Sequence, residues 1–359
     1  MIGASPGPCK QSWCPHPLGR YGTGRVAALW ITRLEESERL HTYLATSPPR
    51  RRPTTIGSNG RVNRDTAAPP RGPTIDAHKL DKARVRRLAA RAAPHYDSVA
   101  WLPRQVASAL MEHLQPVRIQ PARILDVGAG TGICSRLLAR HYRRARVISM
   151  DSSTAMLRVA RGRGPRWLSR RAVACGDGEA LPVADRSIDL LLSSLMLPSC
   201  PAPDAVLLEF HRALKPGGLL MFSTLGPDTL QELRASWLTV DAHAHVHALI
   251  DMHDLGDALL RAGFRDVVMD TERITGRYPD VATLMSELKR LGVSNAARGC
   301  HKSLTTPARL AAMTSEYERL RADEDLPASF EVVFGHAWRA PSRSVDVSPG
   351  AMLPASRRP

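Results

Sequence analysis

The chain has 359 residues, of which 43% are hydrophobic and 5% aromatic, and it carries a formal net charge of +16. That length and apolar content allow a substantial core, in one large or two small domains. No stretch reaches the roughly twenty apolar residues that cross a membrane, which excludes a spanning helix and makes a soluble, cytoplasmic protein the expectation.

Residues 1–75 are rich in Pro, Gly, Ser and Arg, with the basic run Arg50-Arg-Arg and the turn-prone Pro-Pro-Arg-Gly-Pro at 69–73. They read as a mostly disordered basic tail whose one candidate element is a helix over Val26–Leu44. The segment lacks the charged start, apolar block and cleavage site of a secretory signal. Residues 341–359 read as a second disordered tail, leaving 76–340 as the folded domain.

Within that domain, Ile124 to Gly132 reads Ile-Leu-Asp-Val-Gly-Ala-Gly-Thr-Gly. An apolar strand ends in Asp126 and opens into Gly128, Gly130 and Gly132, before a helical pattern from Ile133 to Tyr142. A dinucleotide fingerprint would place its third glycine one residue later, with a pyrophosphate on the helix N-terminus. The earlier glycine and the preceding acid are the pattern of S-adenosylmethionine (SAM) sites, where the carboxylate faces the cationic methionine end. A second strand, Ala145–Met150, ends at Asp151 and Ser152, where a carboxylate accepts both ribose hydroxyls. A third, Ala172–Cys175, ends at Gly176-Asp177-Gly178, whose carboxylate and backbone N–H suit adenine. SAM is therefore the expected cofactor.

Ser187–Ser194 reads as a fourth strand, Ala205–Leu214 as a helix stopped by Lys215-Pro-Gly-Gly, and Leu219–Ser223 as a fifth strand. Strands alternating with helices predict an α/β fold, a doubly wound, mostly parallel Rossmann-like sheet with the ligand at the carboxyl ends of its strands. The nucleotide-binding core spans 120–225, and a helical acceptor-side extension spans 226–340. Further on, Asp254 reads as the N-cap of a helix Leu255–Ala262 that Gly263 ends.

Six cysteines (Cys9, Cys14, Cys134, Cys175, Cys200 and Cys300) form no Cys-x-x-Cys pair and read as buried thiols. The densest histidine group, His243, His245, His247 and His253, offers no standard ligand spacing, so no metal is expected. Arginines cluster at 84–91, 140–146 and 158–171. With few aromatics and no interleaved basic and aromatic strand, the charge suits solvated surface or an acidic protein partner, and no nucleic acid is expected.

Several runs after the fifth strand carry a family resemblance: Phe222-Ser-Thr-Leu-Gly-Pro-Asp-Thr-Leu-Gln-Glu-Leu-Arg, Asp251-Met-His-Asp-Leu-Gly-Asp, Leu288-Lys-Arg-Leu-Gly-Val-Ser-Asn and Phe330-Glu-Val-Val-Phe-Gly-His-Ala-Trp. Together with Ala92-Ala-Pro-His-Tyr-Asp-Ser-Val-Ala, they resemble the malonyl-acyl-carrier-protein O-methyltransferases of biotin synthesis across roughly residues 80–340. The resemblance implies methyl transfer from SAM to the free carboxylate of a malonyl thioester, borne by an acyl-carrier protein or coenzyme A. A carboxylate is its own nucleophile at neutral pH, so no general base is expected. Tyr96, Ser194, Arg234 and His253 are the acceptor-side candidates, Arg234 as a cationic partner of the carboxylate. After the fourth strand the family continues Asn-Leu-Ala-Leu-Gln-Trp where this chain reads Ser194-Leu-Met-Leu-Pro-Ser. Two other readings stay open: a SAM-binding protein-arginine hydroxylase of the complex I assembly type, and a non-catalytic SAM-binding partner module.

Overall fold

The central strands are short apolar runs bounded by turn residues, and their lack of alternation marks them as covered on both faces. Ile124 and Leu125, Leu190 to Leu192 and Leu219 to Phe222 are all fully buried. In the computed structural model, residues 80–163, 170–241, 245–246, 248–293 and 305–341 are described. The tail at 1–75 with its Val26–Leu44 helix, His243, His247, Cys9, Cys14 and Cys300 lie outside the described residues, as does the second tail apart from Pro341.

Strands β1 (Arg123–Val127), β2 (Arg146–Asp151), β3 (Arg171–Cys175), β4 (Ile188–Ser194) and β5 (Leu214–Leu225) pair in parallel. Two more, β6 (Phe264–Tyr278) and β7 (Leu326–Arg339), complete one seven-stranded sheet of order β3-β2-β1-β4-β5-β7-β6. β7 runs antiparallel to both its neighbours. The order reverses between β1 and β4, so the crevice beyond the end of β1 is where a doubly wound sheet accepts a ligand.

Helices α1 (Lys82–Ala92), α2 (Tyr96–Val99) and α3 (Trp101–Leu114) precede the sheet; α4 (Ile133–His141), α5 (Thr154–Gly162) and α6 (Pro203–Ala213) cross between its strands. The last four are α7 (Gln231–Leu238), α8 (Met252–Arg261), α9 (Val281–Arg290) and α10 (Pro307–Glu318). The region after β5 is thus more than a helical extension, because it supplies β6 and β7.

Two local readings change. Asp251, not Asp254, caps α8: its backbone is extended and its carboxylate accepts from the His253 N–H at 2.7 Å. The helix therefore starts at Met252, and Asp254 falls in its first turn, where a negative charge still suits the helix dipole. Lys215-Pro-Gly-Gly does not separate helix from strand. Leu214 already pairs with Ile188, the next residues bulge out, and pairing resumes at Leu219 with Leu190.

Candidate cofactor and acceptor site

Strand ends place the three aspartates singled out in the sequence. Asp126, near the end of β1, is 1% exposed and accepts from Ser135 Oγ at 2.5 Å, while Ser149 Oγ donates to Ser135 Oγ at 2.6 Å. Burial raises the Asp126 carboxyl to about 7, against the pull of the Ser135 hydrogen bonds. The N–H groups of Gly128 and Ala129 both donate to the Met150 carbonyl, at 2.8 and 2.9 Å, which ties the glycine loop to β2. Gly128 has φ +73°, and the Met196 side chain fills the space that a Cβ would need. Only glycine meets both conditions without strain.

Asp151, the last residue of β2, accepts from Gly130 N–H at 2.9 Å on one oxygen and from Ser153 N–H at 2.7 Å on the other. Burial raises its carboxyl, with those backbone bonds opposing the rise. A carboxylate accepts at about four lone-pair positions, so each oxygen retains capacity for a ligand hydroxyl. Ser153 caps α5, holding the segment in place.

Past β3, Asp177 accepts from Lys82 Nζ at 2.7 Å, and Lys82 also pairs with Glu179 at 2.6 Å. Burial pushes the Asp177 carboxyl up, but the Lys82 hydrogen bond and charge, the Glu179 N–H and the Arg86 charge together outweigh it and hold the group below the usual carboxylate range. The bridge joins α1 to the loop after β3 across 95 positions of sequence. Both partners are partly exposed, so its role is to position α1 rather than to stabilise the fold much.

These elements enclose a cavity of about 350 Å³, within the usual range of small-molecule sites. Gly128, Gly130, Asp151, Ser152, Gly176, Asp177 and Gly178 line it. Leu230, Leu233, Leu288, Leu291 and Phe330 give the same cavity an apolar lining. A smaller neighbouring cavity is lined by Asp126, Thr131, Cys134 and Ser194, and Tyr96 borders both. Burial raises the Tyr96 phenol well above its ordinary value, so it stays a neutral O–H. Ser194 Oγ lies 3.1 Å from Ser223 Oγ at the adjoining strand end. Gly132 stands at the start of α4 with φ +78° and lies on neither cavity wall.

The structure does not bring Arg234 and His253 to the cavity. The Arg234 guanidinium donates to the carbonyls of Pro227 at 2.7 Å and Thr229 at 3.2 Å, bracing the turn after β5. His253 is 86% exposed and sits 2.9 Å from Asp251, drawn outward because Asp251 starts α8. Among the lining residues that the sequence reading did not assign to the site are Lys82, Met196 and His245. His245 left a signal as a member of the histidine group and Met196 as part of the run Ser194-Leu-Met-Leu-Pro-Ser, whereas Lys82 left none. Among the described residues, no group of three or more His, Cys, Asp or Glu is placed to hold a metal ion.

Asp126 supplies a pH test. In the free protein it keeps its proton up to about pH 7. A cationic ammonium bound beside it favours the ionised form, so binding below that pH releases a proton and strengthens as pH rises, then levels off. SAM affinity measured by calorimetry between about pH 5.5 and 7.5 is expected to climb, and the climb to vanish in Asp126→Asn. A flat profile in the unsubstituted protein would assign the methionine end elsewhere.

Comparison with known proteins adds a name to this geometry. The model of the family described as "Methyltransferase domain" matches residues 125–222, the span from β1 through most of β5. The chain is 46% identical over 275 residues to the malonyl-(acyl-carrier protein) O-methyltransferase of Laribacter hongkongensis, covering 75% of this chain and 93% of that one. It is 44% identical to the Methylovorus sp. protein of the same name, covering 80% and 98%, and 44% identical to that of Gallionella capsiferriformans, covering 74% and 93%.

Proposed function

Because the chain belongs to the malonyl-(acyl-carrier protein) O-methyltransferases, we propose that it methylates the free carboxylate of a malonyl thioester at the cavity described above. The observation that supports this most directly is one cavity lined both by Asp151 and Asp177 and by the apolar side chains Leu230, Leu233, Leu291 and Phe330. SAM fits the polar lining of this cavity and of its smaller neighbour: Asp151 has lone pairs left for two ribose hydroxyls, Asp177 and Gly178 suit adenine, and Asp126, on the smaller cavity, suits a cationic amine. When bound, SAM supplies an electrophilic methyl group. The protein's task is to orient the acceptor and exclude water, since the carboxylate attacks without losing a proton. Leu230, Leu233 and Leu291 exclude water, and Tyr96 presents a neutral hydroxyl on the border of both cavities. An acyl-carrier protein delivers the thioester on this reading, as the relatives' names state.

Methylation removes a charge that an apolar channel rejects on desolvation grounds, so the ester suits enzymes that elongate acyl chains. That chemistry and the sequence resemblance support a role in biotin synthesis in the cytoplasm. We assign the catalytic unit to residues 76–340. Neither the hydroxylase nor the non-catalytic reading gains support from the geometry or from the relatives' names.

The deciding experiment incubates labelled SAM with malonyl-carrier protein and, as a control lacking the carboxylate, acetyl-carrier protein. Label on the malonyl form alone, released by mild base as methanol, is expected from the full chain and from a chain lacking residues 1–75. Label on both forms, or on neither while SAM binds, would overturn the reading.

A further inference from the structure

An ionised acceptor in a mostly apolar cavity needs a donor, since leaving it unpaired is costly. Arg234, the guanidinium nearest in sequence to the turn after β5, is spent on backbone carbonyls. On the cavity wall built by residues after β5, the described polar side chains are Thr229 and His245. The Thr229 hydroxyl already donates to the Glu331 carbonyl and accepts from its N–H, both at 3.2 Å.

His245 is held from two directions. Its ring stacks on Trp237 with centroids 3.7 Å apart and planes 10° from parallel. Trp237 is 5% exposed and lies one turn beyond Leu233 on α7, so the ring that His245 stacks on is itself held by a helix that contributes Leu233 to the cavity. The Asp241 carboxylate lies 2.9 Å from His245 Nε2, with Arg309 at 3.9 Å from the other Asp241 oxygen. A carboxylate only accepts, so this contact places a proton on Nε2, and the imidazolium form presents a second N–H at Nδ1.

Building on the methyl-transfer reading above, we propose that His245 receives the malonyl carboxylate in the acceptor half of the cavity and so selects malonyl over uncharged acyl thioesters. A single N–H on one carboxylate oxygen leaves the other free to attack. Asp241 and Trp237 are the positioning residues that fix the ring. Because methylation removes the charge that His245 contacts, the contact is stronger before the transfer than during it. Its loss therefore raises KM for the acceptor and does not lower kcat in proportion.

The test uses His245→Phe in the full chain, which keeps a ring on Trp237 and removes both N–H groups. KM for malonyl-carrier protein is expected to rise about ten- to a hundredfold, the worth of one hydrogen bond to a charged group. SAM binding and competitive inhibition by acetyl-carrier protein should be unchanged. Asp241→Asn, which leaves the ring in place but loosens it, should give a smaller rise in malonyl KM alone. An unchanged malonyl KM in His245→Phe would overturn the proposal, as would malonyl and acetyl forms weakening together, which is the mark of a merely collapsed wall. Failure of the underlying reading looks different: the unsubstituted protein would not label malonyl-carrier protein at all.

Discussion

Asp151→Ala is expected to weaken SAM binding by at least about tenfold, and on the order of a hundredfold if both ribose hydroxyls bond to this carboxylate, since each such bond to a charged group contributes roughly 1.5–3 kcal/mol. The substitution acts twice. It removes the ligand's acceptor, and it releases Gly130 N–H and Ser153 N–H, which the carboxylate holds at 2.9 and 2.7 Å. The glycine loop and the start of α5 then lose their common anchor. Calorimetry would measure the affinity and a thermal melt the fold. Asp177→Ala should cost less, because Asp177 is 42% exposed on its side chain and already shares Lys82 with Glu179. Equal losses at the two positions, or normal affinity in Asp151→Ala, would mean that the ribose lies elsewhere.

Gly335→Val is expected to destabilise the fold by roughly 3 kcal/mol, at the upper end of overpacking costs, although valine favours strands. Gly335 on β7 pairs with Phe222 on β5 and Met269 on β6, and the Phe222 ring occupies the place of the missing side chain. Phe222 is fully buried in the cluster shared with Leu207, Phe210 and Leu220, so the ring has nowhere to retreat. Gly256, inside α8, gives the opposite sign. A Cβ there meets only the Met269 sulfur at 3.5 Å, and Gly256→Ala should stabilise by about 0.5–1 kcal/mol through a less flexible unfolded chain. Urea unfolding of both variants checks the pair. A stable Gly335→Val would show that the β5–β7 junction relaxes, contrary to its close packing.

The sequence alone determined the parallel half of the sheet and which aspartates stand at or just beyond its strand ends. Asp126, Asp151 and Asp177 each follow an apolar run, and a strand followed by a turn is a local arrangement that places such residues at the sheet's carboxyl edge. The family resemblance named the reaction that the relatives share. Boundaries were less legible where two residues compete for one role. Asp251 and Asp254 both suit a cap, and the side chain that meets a free N–H decides between them.

Tertiary structure alone decided which residues after β5 line the cavity. β6 and β7 are separated by α9 and α10, and nothing local says that β7 inserts between β5 and β6; that follows from long-range pairing and packing. The same holds for side chains. Arg234 looked like a partner for an anion, but its guanidinium donates to the turn carbonyls of Pro227 and Thr229. Lys82 reaches Asp177 across 95 positions, and His245 reaches the cavity because Trp237 and Asp241 hold its ring. Spacing in a sequence specifies what neighbouring residues do to the backbone, whereas the walls of a cavity are set by which distant surfaces bury one another.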